Sequence, residues 1–209
     1  MRSHSAKNEA LHARWADWKY CGRDIKELRR KIFVREQNFP EQIIEDHRDI
    51  SGLHLLAYYG ERPVAAISAY IYPQGNPWIS RLGFNGSRLA VHLGRRAEDR
   101  EFRGRQITEQ LLSAVIVETC ERFHPDLFAG TLQGVHKRLA PRYADLGFEV
   151  GHSVDLAGVD TLIVKAEGEG GVDAFRRRHA ESLLLQKNPL SIPPLPYRYV
   201  RESVLSFAG

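Results

Sequence analysis

The stretch REFRGRQITEQLL, Arg100 to Leu112, sets an arginine-rich turn with one glycine directly before an apolar helical pattern. The first backbone N–H groups of a helix have no intrahelical partner, and the helix dipole adds positive potential at that end. Such a turn suits a phosphate or another anion. Taken alone it reads more readily as a solvated charged face, because Glu98, Asp99 and Glu101 stand among Arg95, Arg96, Arg100, Arg103 and Arg105. The flanking sequence has to decide between the two.

Downstream, Ile107 to Phe123 keeps Leu112, Ile116, Cys120 and Phe123 on one stripe, with enough other apolar residues to predict a helix buried on several sides. PDLFAGTL (125–132) reads as a short buried strand. VHKRLAPRYADLG (135–147) reads as a helix around Leu139, Tyr143 and Leu146, stopped by Gly147 in the left-handed conformation. FEVGHSV (148–154) and DTLIVKA (160–166) complete the strands.

Upstream, HLLAYY (54–59) and PVAAISAYIY (63–72) predict an antiparallel hairpin. In WISRLGFNGSRLAVHL (78–93), Asn85–Gly86 is a two-residue hairpin signal, so two short strands are expected there, the second central. RWADWKYCG (14–22) reads as an edge strand, and DIKELRRKIFVREQ (24–37) as a helix capped by Asp24. Residues 38–52 are polar, acidic and turn-rich. After Ala166, EGEGG reads as a flexible linker, 172–187 as a basic amphipathic helix, and 188–199 as a proline-rich extended segment. The chain thus divides into a domain over 1–166 and an extension over 167–209. Its fold class is α+β (α/β-like), built on one mixed sheet with helices around it.

Composition narrows the function classes. The balance of 30 Lys+Arg against 26 Asp+Glu gives a net charge of +4, which favours an anionic partner only mildly. No apolar run approaches the roughly 18 to 20 residues of a membrane span. The N-terminal residues lack the apolar core of a secretory signal, and two cysteines, Cys21 and Cys120, build no disulfide framework, so a reducing cytoplasm is the expected location. Cys120 is expected to be a buried structural thiol. The nine histidines show no metal-ligand spacing, and no metal is expected. Neither a Walker loop nor a Gly-x-Ser-x-Gly elbow is present.

Three segments in order resemble the GNAT superfamily of N-acyltransferases, over about Asp24 to Ala166. RLAV (Arg88–Val91) looks like the family's central strand, RGRQIT (Arg103–Thr108) like its pyrophosphate loop, and YADLGF (Tyr143–Phe148) like its Tyr-x-x-x-Gly-Phe close. Gln106 and Thr108 depart from the small residues usual in that loop, and HLGRRAEDREF lengthens the gap after Val91. A narrower resemblance, through VREQNFPEQIIEDHRD, HLLAYYGERPVAA and SRLAV, is to the acyl-homoserine-lactone synthases and N-acyl amino acid synthases. Its matching positions are Phe33, Glu45, Asp46, Asp49 and Arg88.

The resemblance implies a GNAT-type, mostly antiparallel central sheet and transfer of an acyl group from a thioester to a primary amine of a small molecule or protein. The donor is acetyl-CoA or a longer acyl-CoA, or acyl-phosphopantetheine on an acyl carrier protein. It would be held by Leu89, Ala90 and Val91 and by Arg103, Gly104, Arg105, Gln106, Ile107 and Thr108. Phe33 and Arg88 would contact substrate, and Tyr143 would protonate the leaving sulfur. Glu36, Glu45 or Asp46 would serve as base through water. The alternatives are a basic module for nucleic acid, the less favoured partner, or for an acidic protein, and a GNAT fold without catalysis. Acceptor, chain length and oligomeric state stay open.

Overall fold

The computed structural model describes residues 10–156 and 158–197. Seven strands form one sheet in the order β1-β2-β3-β4-β5-β7-β6. They are β1 (Leu11–Ala16), β2 (Leu53–Tyr59), β3 (Arg62–Pro73), β4 (Leu89–Glu98), β5 (Leu127–Gln133), β6 (Glu149–Leu156) and β7 (Val159–Glu167). Every neighbouring pair is antiparallel except β4 and β5, which are parallel.

The expected hairpin is present as β2 and β3, and both strands are buried almost throughout. Side chains alternate across a strand, so two layers of core result. Leu53, Leu55 and Ala57 face a cluster built on helix α3 (Ile107–Phe123), while Leu56 and Tyr58 face one built on helix α1 (Trp18–Arg29). α3 has the bounds that its apolar pattern predicts, and eleven of its residues are buried. It lies under the centre of the sheet with helix α5 (Glu169–Leu184) against it.

Four local expectations are corrected. The first helix begins at Trp18 under an Asp17 cap, whose carboxylate accepts from the Lys19 N–H at 2.8 Å. Asp24 lies inside it and accepts from the Tyr58 hydroxyl. Past Arg29 the helix widens into a π-helical stretch, Arg30–Glu36. Residues 78–93 do not form a hairpin: Asn76 caps helix α2 (Pro77–Arg81), with Pro77 in the first turn, and Asn85–Gly86 lies in the loop before β4.

β4 is also longer than RLAV suggested. It runs on through HLGRRAE, which absorbs most of the lengthened gap. Finally, EGEGG is not a linker. β7 continues to Glu167, Gly168 caps α5, and α5 starts at Glu169. Val172 and Phe175 of α5 and Leu195 beyond it belong to the same core cluster as the sheet. The chain after α5 lies back along β1, where the Ala13 N–H donates to the Ser191 carbonyl at 3.0 Å and Trp15 Nε1 to that of Pro193 at 2.9 Å.

Candidate active site

β4 and β5 pair over Ala90–Leu93 and Leu127–Gly130 only. Beyond that point they part, and a cavity of about 470 Å³ lies in the opening. Opposite Ile67 of β3, β4 carries two residues, Arg95 and Arg96, where one would fit. This bulge puts Arg95 at φ +50°, a left-handed conformation that a non-glycine residue holds only under surrounding constraint. The bulge turns Arg95 toward one face of the sheet and Arg96 toward the other. The cavity is lined from both: Phe33, Phe39 and Tyr70 on the α1 side, and Thr108, Leu112 and Tyr143 on the α3 side.

On the α1 side a row of charges alternates in sign. Arg29, fully buried, donates to both oxygens of Asp49 at 3.0 Å. Arg95 bridges Asp49 and Asp46, and Arg48 donates to Asp46 through Nε at 3.1 Å and Nη2 at 2.6 Å. Burial penalises the charged form of Asp46, but Arg48 and Arg95 outweigh it and hold the carboxyl down at about 2. Asp49, also accepting from the Tyr70 hydroxyl at 2.8 Å, is lowered by Arg29 and Arg95 against the same penalty. Burial pushes the Tyr70 phenol up to about 12. His92, on the last paired stretch of β4, is stacked on Tyr70 and set edge-on to Trp78. Burial, with Arg48 and Arg95 adding, holds it down to about 3, so the imidazole is neutral at physiological pH.

On the α3 side, Glu98 accepts from the Thr108 hydroxyl at 3.4 Å, while its second oxygen is buried without a partner among the described residues. Burial, then the nearby Glu109, raises its pKa. Tyr143 comes from helix α4 (Ala140–Asp145). Its ring meets Phe148 edge-on at 5.5 Å, and the Arg96 guanidinium lies 5.3 Å over it.

The structure thus sorts the candidates. Phe33, Arg103, Gly104, Thr108 and Tyr143 are brought together on the cavity wall. Leu89, Ala90 and Val91 are not: they pair on both sides, with β3 and with the 126–128 segment, and the cavity meets β4 between His92 and Glu98 instead. Arg88 is exposed and pairs with Asp126 at 3.5 Å, away from the cavity. Glu36 is tied to Arg103, Glu45 to Lys26, and Asp46 to two arginines, so none of the three is a free carboxylate.

Arg105 lies over the Phe102 ring, Gln106 takes a left-handed φ of +58° at the N-cap of α3, and Ile107 is core. Arg48, His92 and Glu98 were missed. Their only sequence signal is a polar residue interrupting or ending an apolar strand, and for Arg48 there is none. Cys120 is buried, with its thiol pushed up to about 12.

The fold has solved counterparts. A CoA-dependent acyl-homoserine lactone synthase, BjaI, solved with SAM and isopentyl-CoA, matches with a TM-score of 0.62 and 17% identity, over 94% of this chain and 100% of that one. The chain has the GNAT fold. FeeM, an N-acyl amino acid synthase from uncultured soil microbes, aligns at TM-score 0.59 and 16% identity, over 81% and 94% of the two chains. An acyl-CoA N-acyltransferase from Pseudomonas aeruginosa aligns at 0.57 and 18%, over 75% and 99%. No protein-family model matches the sequence, and no curated protein does.

Proposed function

We propose that this chain is an N-acyltransferase that moves an acyl group from a thioester donor to an amine. The observation that supports this best is the cavity through the sheet, which would let a donor thioester and an amine meet from opposite faces. The amine nitrogen attacks the thioester carbonyl carbon, the C–S bond breaks, and the amide forms. One proton leaves the nitrogen and one is taken up by the departing thiolate.

Beyond Gly130 the β5-facing backbone of β4 has left its ladder, so N–H groups near the bulge are available to polarise the carbonyl. Tyr143 lies on the cavity wall and would hand its phenolic proton to the departing sulfur. Glu98 is the one carboxylate among the lining residues, and its raised pKa suits it to take the amine proton, directly or through a water. This reading replaces the ion-paired Glu36, Glu45 and Asp46.

The donor is an acyl-CoA or the acylated phosphopantetheine of a carrier protein. Phe33, Phe39, Ile43, Leu112 and Leu132 give the cavity more apolar wall than an acetyl group can use, which favours a longer chain. Thiol release should be followed with acetyl-CoA, decanoyl-CoA and decanoyl carrier protein against pooled primary amines, beside the melting temperature with each donor alone. A decanoyl donor that raises the melting temperature and releases thiol only with amine present is the expected result. No donor shifting the melting temperature and no thiol released would refute it.

A further inference from the structure

We propose that Asn85 is a site of spontaneous deamidation: the Gly86 backbone nitrogen attacks the Asn85 side-chain amide, and the resulting succinimide opens to aspartate or isoaspartate. The inference does not rest on the acyl-transfer reading.

The reaction needs a main-chain N–H that is free to move onto the side chain of the residue before it. Asn76 and Asn188 precede Pro77 and Pro189, which have no N–H to offer. Asn38 precedes Phe39, whose N–H is already given to the Phe33 carbonyl at 2.9 Å and whose side chain crowds the approach. Asn8 lies outside the described residues and precedes a glutamate.

Asn85 differs on each count. It stands in the loop between α2 and β4, and both Asn85 and Gly86 are exposed. Among the described residues, neither the Asn85 side-chain amide nor the Gly86 N–H has a hydrogen-bond partner. No atom from elsewhere in the chain lies within 4 Å of where a Cβ would stand on Gly86. The attacking nitrogen therefore belongs to a residue without a side chain, in open space, with the backbone freedom that ring closure needs.

The atoms balance with water alone. Hydroxide takes the Gly86 amide proton, the nitrogen bonds to the Asn85 side-chain carbonyl carbon, and the bond from that carbon to the side-chain nitrogen breaks. The leaving nitrogen takes a proton from water, departs as ammonia and returns the hydroxide. Water then adds to one of the two ring carbonyl carbons. Opening at the side-chain carbon gives aspartate. Opening at the main-chain carbon gives isoaspartate, whose backbone runs through the former side chain.

The position gives the change a consequence. Ser87 Oγ donates to Asp126 at 2.7 Å, and the N–H groups of Arg88 and Leu89 donate to the same carboxylate at 2.8 and 3.0 Å. On the other side of Asn85, Phe84 is fixed in the core. Either product adds a negative charge close to the Asp126 anchor, and isoaspartate also lengthens the link between two fixed points. The anchor lies at the end of the β4–β5 pair away from the cavity, so the cost falls on stability.

The test ages the full chain at neutral and at mildly alkaline pH and reads the tryptic peptide Leu82–Arg88 by mass spectrometry, with isoaspartate assigned by fragmentation. A synthetic peptide of the same sequence is aged alongside. Acid forms should accumulate at Asn85, faster at the higher pH. The folded chain should lag the free peptide by at most about threefold, because one hydrogen bond holding the Gly86 N–H would already slow the reaction about fivefold. Asn38, read in the peptide Glu36–Arg48, should stay intact. Gly86→Pro removes the attacking N–H and should abolish the conversion. Asn85→Gln would need a larger ring and should also stop it, which covers a poorly folding proline variant. The fully converted chain should melt about 2–4 °C below its unaged sample, the value of about one hydrogen bond at this chain length. An intact Asn85 in the folded chain while the free peptide converts, conversion undiminished in the variants, or acid forms appearing first at Asn38 overturns the proposal. An unshifted melting temperature after full conversion overturns the link to the Asp126 anchor.

Discussion

Cutting the chain after Ala166 should unfold it. The sequence pattern suggested a detachable extension, but Val172, Phe175 and Leu195 are at most 5% exposed within the central core. A fully buried aliphatic or aromatic side chain contributes roughly 1.5–3 kcal/mol, so these three together contribute roughly 5–9 kcal/mol. A domain's net stability is only about 5–15 kcal/mol. The cut also bares Phe128 and Phe148, whose rings lie 5.5 and 4.7 Å from that of Phe175. It removes the Ser113–His179 hydrogen bond of 2.8 Å and the hydrogen-bond partner of Trp15 as well.

At about 2–4 °C per kcal/mol for a chain of this size, the smallest loss already lowers the melting temperature by about 10 °C. Circular dichroism melts and urea titrations of residues 1–166 and 1–187 beside the full chain give the measurement. The longer form keeps α5 and should lose less than the shorter. Should residues 1–166 melt cooperatively within about 5 °C of the full chain, the burial reasoning here is wrong.

Tyr143→Phe keeps the ring against Phe148 and deletes only the hydroxyl, so kcat should fall roughly tenfold to a hundredfold with the melting temperature unchanged; a fall of under about threefold removes Tyr143 from the mechanism. Asp49→Asn leaves Arg29, which is fully buried, and Arg95 without their shared anion, and should cost about 3–5 kcal/mol in urea unfolding; a loss below about 1 kcal/mol contradicts the row of charges as drawn.

The protein should also weaken in acid well before its carboxylates titrate. His54 and His179 are held down to about 4 by burial, and His92 to about 3, so the unfolded chain binds protons there from about pH 6.5 downward while the native one does not. Below about pH 4 the lowered Asp46 and Asp49 add a second loss as the unfolded carboxylates protonate first. A melting temperature flat from pH 7 to 4.5 would contradict the first of these losses.

The parts legible in the sequence are those with a local cause. The apolar period of 107–123 gave α3 its bounds, and the two apolar runs around Gly60 gave β2 and β3. The Asn85–Gly86 turn misled because the same dipeptide also serves a loop after a short helix, and the better signal, Asn76–Pro77 as cap and first turn, lay just upstream. The site was legible only in part. Tyr143 and Thr108 carried motif-like neighbours, whereas the bulge at Arg95 is a left-handed arginine that no local rule anticipates. Arg29 and Asp49 meet only because α1 and the turn at 47–50 pack on the same face of the sheet, so their partnership is a tertiary fact. His92 and Glu98 gain their altered protonation from burial, which is settled by folding as a whole.

The parting of β4 and β5 has a kinetic consequence. A pocket open through a sheet lets two reactants approach from opposite sides, so neither has to leave before the other arrives. No cysteine or serine stands among the lining residues, so the wall offers neither of those groups to carry the acyl chain between two half-reactions. Transfer should then run through one complex that holds donor and acceptor together. Reciprocal plots at several fixed acceptor levels should intersect rather than run parallel, and donor mixed with enzyme alone should give no burst of thiol.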